Sequence, residues 1–391
     1  MSTATSTPRA PSGARAVLLS TLAALIGSVV ALLIGEGSFR ALGLRAQEAG
    51  RIFRISNGAE LQFPGRAGHT VIDLYSSNPR GVFPVNLEDD ATVRDLVARK
   101  FTRVDEARRT NPFGVPFDYN SRGFRDRDFA PKPTGVRRVV FVGDSFTEAQ
   151  GVIESESAVR LVEQSLRRDG AAVEVWNLGV RGHDFPALEE IFTAALELSP
   201  DAIVLAMVLN DADRSPHLAD AWPRVNDWIM VRQEKRSWLA AHSALVGYAT
   251  DRYERFMVSR DTTAWYQALY SDANRDGWMR TRASLQRMAA RCRKEGIGFG
   301  VALWPLLVGL EPGASYPFEP AHAQIRRGVE RAGIPFLDLL PVLRGRPSES
   351  LWVHTSDLHP NEKAQVLVAP PLAGFIRNQL LDAASARLVA K

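Results

Sequence analysis

The sequence predicts an α/β fold with a parallel sheet covered by helices on both faces, preceded by a transmembrane helix. From residue 137 onwards, short continuous apolar runs alternate with amphipathic helical stretches. That alternation is typical of a parallel sheet buried between two layers of helices. Near the N-terminus, residues 16–34 carry no charge, and a helix of that length spans about 28 Å, close to the hydrocarbon thickness of a bilayer.

Five apolar runs predict five strands of the sheet. They lie at residues 139–142, 173–176, 202–207, 299–303 and 335–337. Helical stretches separate them at about 158–168, 186–198, 279–294 and 320–331, and a last one at about 361–381 closes the chain. We therefore expect a five-stranded sheet within a principal domain over residues 137–385.

The N-terminal apolar run has two interpretations, an uncleaved anchor or a cleaved signal peptide. The segment that follows it, Gly35-Glu36-Gly37-Ser38, is a poor match to the small-residue site that a signal peptidase cleaves. We expect an anchor over residues 15–35, after a disordered Ser/Thr/Pro/Ala-rich stretch over residues 1–14. Two arginines precede the run and three follow it closely, a count that slightly opposes export of the C-terminal part.

Charge and cysteine content argue against two classes of partner. The net charge is +4, and the basic residues are scattered rather than clustered in a stripe, so nucleic-acid binding is not expected. Cys292 is the single cysteine, which rules out an intrachain disulfide and argues against a thiolate metal cluster.

Two further regions are predicted only coarsely. Residues 36–136 form a juxtamembrane region with helical spacing at 91–107. An insertion at about 212–278 interrupts the principal domain and holds five of the eight tryptophans. This insertion is either a lid or platform that contacts a sugar or an acyl chain, or a helical subdomain with its own aromatic core.

Four short polar segments each follow one of the apolar runs. They are Gly143-Asp144-Ser145-Phe146, residues 177–182, Asn210-Asp211 and residues 357–361. Residues at the carboxyl ends of parallel strands share one rim of the sheet, where α/β proteins bind ligands. Each segment alone is a weak signal, since a turn or a helix cap would have the same residues. The ordered set predicts one shared site.

The residue types at this rim are those of acyl transfer. A serine hydroxyl needs an adjacent base, so Ser145 is the candidate nucleophile, His359 its base, and Asp357 the acid that orients the histidine. The oxyanion of a tetrahedral intermediate needs hydrogen-bond donors. The backbone N–H groups of Ser145 and Gly182 and the side-chain amide of Asn210 are the candidates. Asp144 and Asp211 are expected to bond loop N–H groups.

These segments resemble the conserved blocks of the SGNH/GDSL hydrolase superfamily. Gly143–Phe146 resembles block I, residues 177–182 block II, Asn210-Asp211 block III and residues 357–361 block V. The resemblance implies that Ser145, Gly182, Asn210 and His359 take the four roles that give SGNH its letters. Residues 120–125 are similar to a lead-in of membrane-anchored bacterial members. The implied fold is a flavodoxin-like three-layer sandwich, and no metal or organic cofactor is expected.

The sequence departs from the family pattern at two places. Val208 occupies a position that is usually glycine, and Ser356 occupies the position of the usual acid. Asp357 is one residue closer to His359. The loop before Pro360 is expected to be extended, and residues two apart then lie on one side. Asp357 is therefore the predicted acid, with a backbone carbonyl or His354 as the alternative partner of His359.

The resemblance implies a serine hydrolase that cleaves acyl or acetyl esters of cell-envelope glycans or lipids. One alternative is an O-acyltransferase that uses the same residues on an exopolysaccharide. Another is an inactive, membrane-tethered carbohydrate-binding protein, but the sequence retains Ser145, His359 and Asn210. We expect a single-pass protein of the bacterial inner membrane. The catalytic domain is placed in the periplasm by resemblance, against the arginine count.

Overall fold

The computed structural model describes residues 13–44, 52–56, 70–75, 113–221, 237–354 and 357–382. The strands are β1 (Ile52–Ser56), β2 (Thr70–Tyr75), β3 (Phe113–Asp118), β4 (Arg137–Gly143), β5 (Val173–Gly179), β6 (Ala202–Met207), β7 (Gly298–Leu303), β8 (Phe336–Asp338), β9 (Trp352–His354) and β10 (Asp357–Pro360). Helices α1 to α5 span Gly13–Ala41, Ser145–Glu148, Ala158–Arg168, Ala187–Leu196 and Trp238–His242. Helices α6 to α10 span Ala244–Ala268, Arg275–Glu295, Glu319–Arg331, Leu340–Leu343 and Glu362–Phe375.

Strands β4 to β8 form the predicted five-stranded parallel sheet, in the order β5-β4-β6-β7-β8. Strand β4 lies between β5 and β6, so the strand order reverses there. In doubly wound α/β folds, such a switch point opens a crevice at the carboxyl ends of the two flanking strands. The predicted α/β fold is confirmed, and the ends of each strand lie within three residues of their predicted positions.

Helices cover both faces of this sheet. On one face α3 packs against α10 and β5, and on the other α4 packs against β4 and α7 packs against α4 and β7. The central strands are buried throughout, as expected for strands that contact helices on both sides. This burial explains why their sequences are continuous apolar runs rather than alternating ones.

Two smaller sheets were not predicted. Strands β1, β2 and β3 form an antiparallel sheet within the region that we described only as juxtamembrane. Strands β9 and β10 pair as a short antiparallel hairpin at the end that carries His359. The predicted helix at 91–107 lies outside the described residues, as do residues 1–12 of the predicted disordered stretch.

The chain divides into two compact units, residues 1–48 with 224–261, and residues 49–223 with 262–391. The first unit contains α1, which begins at Gly13, within the stretch expected to be disordered, and ends at Ala41. Residues 15–41 are long and apolar enough to cross a membrane, by length and composition, and none of their most apolar stretch is buried. A signal sequence near an N-terminus would meet the same criterion.

Candidate active site

Ser145 lies at the start of α2, directly beyond the carboxyl end of β4. The side chain of Asp144 caps this four-residue helix by accepting a hydrogen bond from the backbone N–H of Phe146 at 2.9 Å. Gly179 at the end of β5 lets α2 approach closely, because a Cβ there would lie 2.2 Å from the backbone nitrogen of Glu148. Ser145 is therefore held at the switch point of the sheet, and the residue is 8% exposed.

His359 lies within hydrogen-bond distance of Ser145, although 214 residues separate them. Its Nε2 is 2.8 Å from the Ser145 Oγ. On the other side of the ring, Nδ1 forms a hydrogen bond with Oδ1 of Asp357, which also accepts from the backbone N–H of His359 at 3.2 Å. The structure therefore brings Ser145, His359 and Asp357 together in the order that nucleophilic catalysis requires.

The electrostatics of the Asp357–His359 pair favour an ionised aspartate. Burial opposes ionisation of Asp357, but the charge of His359 and hydrogen bonds from its ring, from Gln150 and from the His359 backbone hold the pKa of Asp357 well below its usual range. Burial likewise opposes protonation of His359, yet the charge of Asp357 and its hydrogen bond raise the pKa of the imidazole. A histidine in this setting is a stronger base than a free one.

Gln150 is a member of this arrangement that the sequence did not reveal. Its Nε2 donates to Oδ2 of Asp357 at 3.0 Å and lies 3.2 Å from Nδ1 of His359. Gln150 follows Ala149, which ends α2 in the left-handed conformation with φ 60°. The tight turn directs a side chain five residues beyond Ser145 towards Asp357, and no spacing rule in the sequence signals that contact.

Asn210 and Asp144 connect the third strand end to the same site. Asn210 lies in a 3₁₀ turn after β6, and its Nδ2 donates to Oδ2 of Asp144 at 3.2 Å. The same carboxylate oxygen lies 3.4 Å from the Ser145 Oγ. A side-chain amide has two N–H donors. The bond to Asp144 engages one of them and fixes the orientation of the other.

Gly182 lies at the same edge of the sheet, three residues beyond β5. Gly179, where β5 ends, pairs with Gly143 at the end of β4. Gly182 has φ 77°, a left-handed conformation that favours glycine, and a Cβ there would meet no atom within 4 Å. Glycine is therefore required at this position by the backbone conformation rather than by a close neighbour.

The two departures from the family pattern have different outcomes. Val208 has φ −120° and ψ 166°, an extended conformation that any residue adopts, so the usual glycine is not needed. Asp211 accepts a hydrogen bond from the Val208 backbone at 2.7 Å and, like Asp144, bonds a loop N–H group as predicted. Ser356 lies outside the described residues.

Aromatic residues border the site. The ring centroid of Phe146 lies 5.3 Å from that of His359 and 5.8 Å from that of Trp304. Trp304 is only 2% exposed, so it supports Phe146 from behind.

Among the insertion tryptophans in the described residues, Trp265 and Trp278 are buried and Trp238 is 72% exposed. The lid and the helical subdomain both stay predictions for this insertion.

The lead-in segment stabilises the end of α2. Arg125 is 1% exposed and donates to the backbone carbonyls of Glu148, Ala149 and Val152 at 3.0, 2.8 and 2.7 Å. Its guanidinium lies over the ring of Phe117 at 3.8 Å. Arg125 therefore satisfies the carbonyl groups at the end of α2, directly beside the turn that places Gln150.

One family model and several solved structures match this chain. The model of the GDSL-like lipase/acylhydrolase family matches residues 141–367. A search of curated proteins found no match. Among solved structures, a lipolytic protein of the G-D-S-L family from Desulfitobacterium hafniense is 15% identical, with a TM-score of 0.36, and the alignment covers 61% of this chain and 98% of that one. A lipase/acylhydrolase from Enterococcus faecalis is 18% identical, with a TM-score of 0.35 and coverages of 62% and 97%.

Proposed function

Because the chain belongs to the GDSL-like lipase/acylhydrolase family, we propose that this carboxylic ester hydrolase acts through Ser145, His359 and Asp357. The observation that carries the proposal is the 2.8 Å distance between the Ser145 Oγ and the His359 Nε2, with Asp357 on the opposite ring nitrogen. A serine hydroxyl is activated by a base within hydrogen-bond distance, and here a buried carboxylate orients that base.

In the first half of the reaction, the Ser145 Oγ attacks the ester carbonyl carbon while His359 takes its proton. The carbonyl oxygen becomes an oxyanion, which the backbone N–H groups of Ser145 and Gly182 and the amide of Asn210 stabilise. Asp144 holds that amide in place. Collapse of the intermediate breaks the bond to the alcohol oxygen, which leaves with the proton from His359.

In the second half, water replaces the alcohol. His359 takes a proton from the water as its oxygen attacks the acyl carbon, and the same donors stabilise the second oxyanion. Collapse then breaks the bond to the Ser145 Oγ, which recovers its proton from His359. The products are a carboxylic acid and the free enzyme. Throughout, Asp357 keeps the Nδ1 proton of His359 in place and stabilises the imidazolium.

The substrates that we propose are acyl or acetyl esters of cell-envelope glycans or lipids. The support for this class is the apolar helix α1, which can hold the hydrolase domain close to a bilayer. We propose that α1 is a single-pass anchor in the inner membrane and that the catalytic domain lies in the periplasm. An anchored enzyme meets substrates at the membrane at high local concentration.

A fluorophosphonate probe tests the nucleophile directly, because it reacts covalently with an activated serine. We expect the wild-type chain to be labelled, and Ser145→Ala to abolish labelling and to lower turnover of a short-chain ester by at least roughly a thousandfold. Ser157→Ala, which removes a buried serine at the start of α3, is the matched control and should leave labelling intact. Undiminished labelling of Ser145→Ala would contradict the assignment.

A further inference from the structure

Glu36 lies at the junction between α1 and the first helices of the insertion. One carboxylate oxygen accepts from the backbone N–H of Ala244 at 2.9 Å, and the other accepts from the N–H of Leu245 at 3.0 Å and from the Ser243 hydroxyl at 2.7 Å. The first N–H groups of a helix have no partner within the helix. Glu36 therefore supplies acceptors for the start of α6 from a distant part of the chain.

Further contacts strengthen the same junction. Arg40 pairs with Glu36 at 2.6 Å and donates to the backbone carbonyl of His242 at 2.8 Å. The ring of Phe39 meets that of Tyr248 edge-on at 5.3 Å. We call the contacts of Glu36 and Arg40 with residues 242–245 the clasp.

The clasp fixes the level of α5 relative to the apolar span of α1. The apolar span ends at Ile34. Glu36 is the first charged residue after it and lies about 3 Å further along the helix. Helix α5 immediately precedes the residues that Glu36 binds, and Arg40 contacts its last residue, His242, so the C-terminal end of α5 lies close to the end of the apolar span. Along α6, Leu245 lies near Gly35 and Tyr248 near Phe39. The two helices therefore advance in the same direction, and α6 leads away from the apolar span.

Helix α5 exposes apolar side chains at this level. Trp238 is 72% exposed and Leu239 is 55% exposed, while Ala240 is buried. The Trp238 ring stacks on His242 at 4.7 Å between centroids. Tryptophan is enriched where hydrocarbon meets lipid headgroups, because its ring is apolar and its N–H is polar.

We propose that α1 and residues 237–261 of the insertion form one membrane-binding unit, in which the clasp holds Trp238 and Leu239 in the headgroup layer of the bilayer that α1 spans. The proposal rests on the membrane anchor proposed above. The occupant is lipid rather than a protein partner, because the exposed apolar residues lie beside the end of a helix whose whole apolar surface is also exposed. The clasp also makes α1 part of the folded protein, unlike a signal peptide that is removed.

Single introduced cysteines carrying an environment-sensitive fluorophore test this depth. The full chain is placed in vesicles of phosphatidylcholine and phosphatidylglycerol that contain a lipid-borne spin-label quencher. The native Cys292 is buried, and burial raises the pKa of its thiol to about 12, so the label reacts with the introduced cysteine. The fluorophore at Leu239→Cys is expected to shift to shorter wavelength and to lose emission to the quencher.

Two control positions separate the possible failures. Leu25→Cys, in the middle of the apolar span, reports on the anchor itself and should be quenched most strongly by a label deep in the acyl chain. Arg260→Cys lies sixteen residues beyond Ala244, about 24 Å along α6, and should not be quenched. If Leu25→Cys is unquenched, α1 does not span the bilayer and the proposed membrane anchor is wrong. If Leu25→Cys is quenched but Leu239→Cys, like Arg260→Cys, is not, then α1 spans the bilayer and the proposed position of Leu239 in the headgroup layer is wrong.

Breaking the clasp tests its part in the arrangement. In the Leu239→Cys chain, Glu36→Ala removes all the acceptors and should reduce quenching at position 239. In the Leu25→Cys chain, the same substitution should leave quenching at position 25 unchanged. Glu36→Gln keeps one acceptor oxygen and should give an intermediate loss. Fluorophosphonate labelling shows that each variant retains a folded hydrolase domain. Unchanged quenching at position 239 in Glu36→Ala would overturn the role of the clasp.

Discussion

At the scale of single residues, Asp357 sets the basicity of His359. The carboxylate raises the pKa of the imidazole, so kcat/KM should fall as the pH drops through a pKa above the ordinary value of about 6.5. Asp357→Asn removes the charge, which should move that limb to lower pH and reduce kcat by up to about 10⁴-fold. Ser356→Ala is the control, and the reverse ranking of the two variants in a pH–rate profile would show that the acid is misassigned.

Gln150 is a positioning residue, since it acts on Asp357 rather than on the substrate. Gln150→Leu removes the donor to Oδ2 of Asp357 while keeping a similar shape, and we expect kcat to fall roughly tenfold with KM unchanged. Gln150→Glu places a second carboxylate beside the pair and should move the acidic limb of the pH–rate profile to higher pH. If Gln150 had a purely structural role, its substitution would lower the free energy of unfolding but leave the acidic limb of the pH–rate profile at the same pH.

At the scale of elements, the short helix α2 depends on the buried guanidinium of Arg125. Arg125→Met removes the guanidinium donor from three carbonyl groups, of which that of Ala149 keeps the backbone N–H of Val152 as a donor. Each carbonyl left unpaired costs about 1–3 kcal/mol. We expect a lower midpoint of urea unfolding, together with a reduced kcat because the turn at Ala149 places Gln150.

Arg122 provides the matched control within the same lead-in. It forms a surface pair with Glu197, and such pairs contribute about 0–1 kcal/mol. Arg122→Met should therefore change the unfolding midpoint little and leave kcat intact. Equal losses of stability in the two variants would mean that the buried position of Arg125 has no special role.

At the scale of the whole molecule, the side of the membrane that carries the hydrolase domain is open to a direct test. The family resemblance favours the periplasm, and the arginine count around α1 slightly opposes it. Alkaline phosphatase fused to the C-terminus is active only after export, so we expect an active fusion. A fusion of a reporter that is active only in the cytoplasm should be silent, and the opposite pair of results would reverse the proposed topology.

Periodicity and order along the chain were enough to predict the α/β fold, the five parallel strands and the residues that meet at their ends. Continuous apolar runs occur where a strand is buried on both faces, and the polar segments after β4, β5 and β6 lie at the shared rim. Asp357 and His359 lie instead in the hairpin of β9 and β10. These signals are local, so they can be read without knowing which elements are neighbours. The contact between Asp357 and His359 was predicted in the same way, from the alternation of side chains in an extended segment.

The tertiary structure alone decided which distant groups support the candidate active site and which group binds the start of α6. Gln150 reaches Asp357 because of the left-handed turn at Ala149, Arg125 reaches the end of α2 from another segment, and Glu36 binds the start of α6 some 208 residues away. The antiparallel sheet of β1–β3 was also missed, since short strands separated by long intervals have no periodic signal. Such contacts depend on the path of the chain in three dimensions, and one sequence records residue types and spacing but not that path.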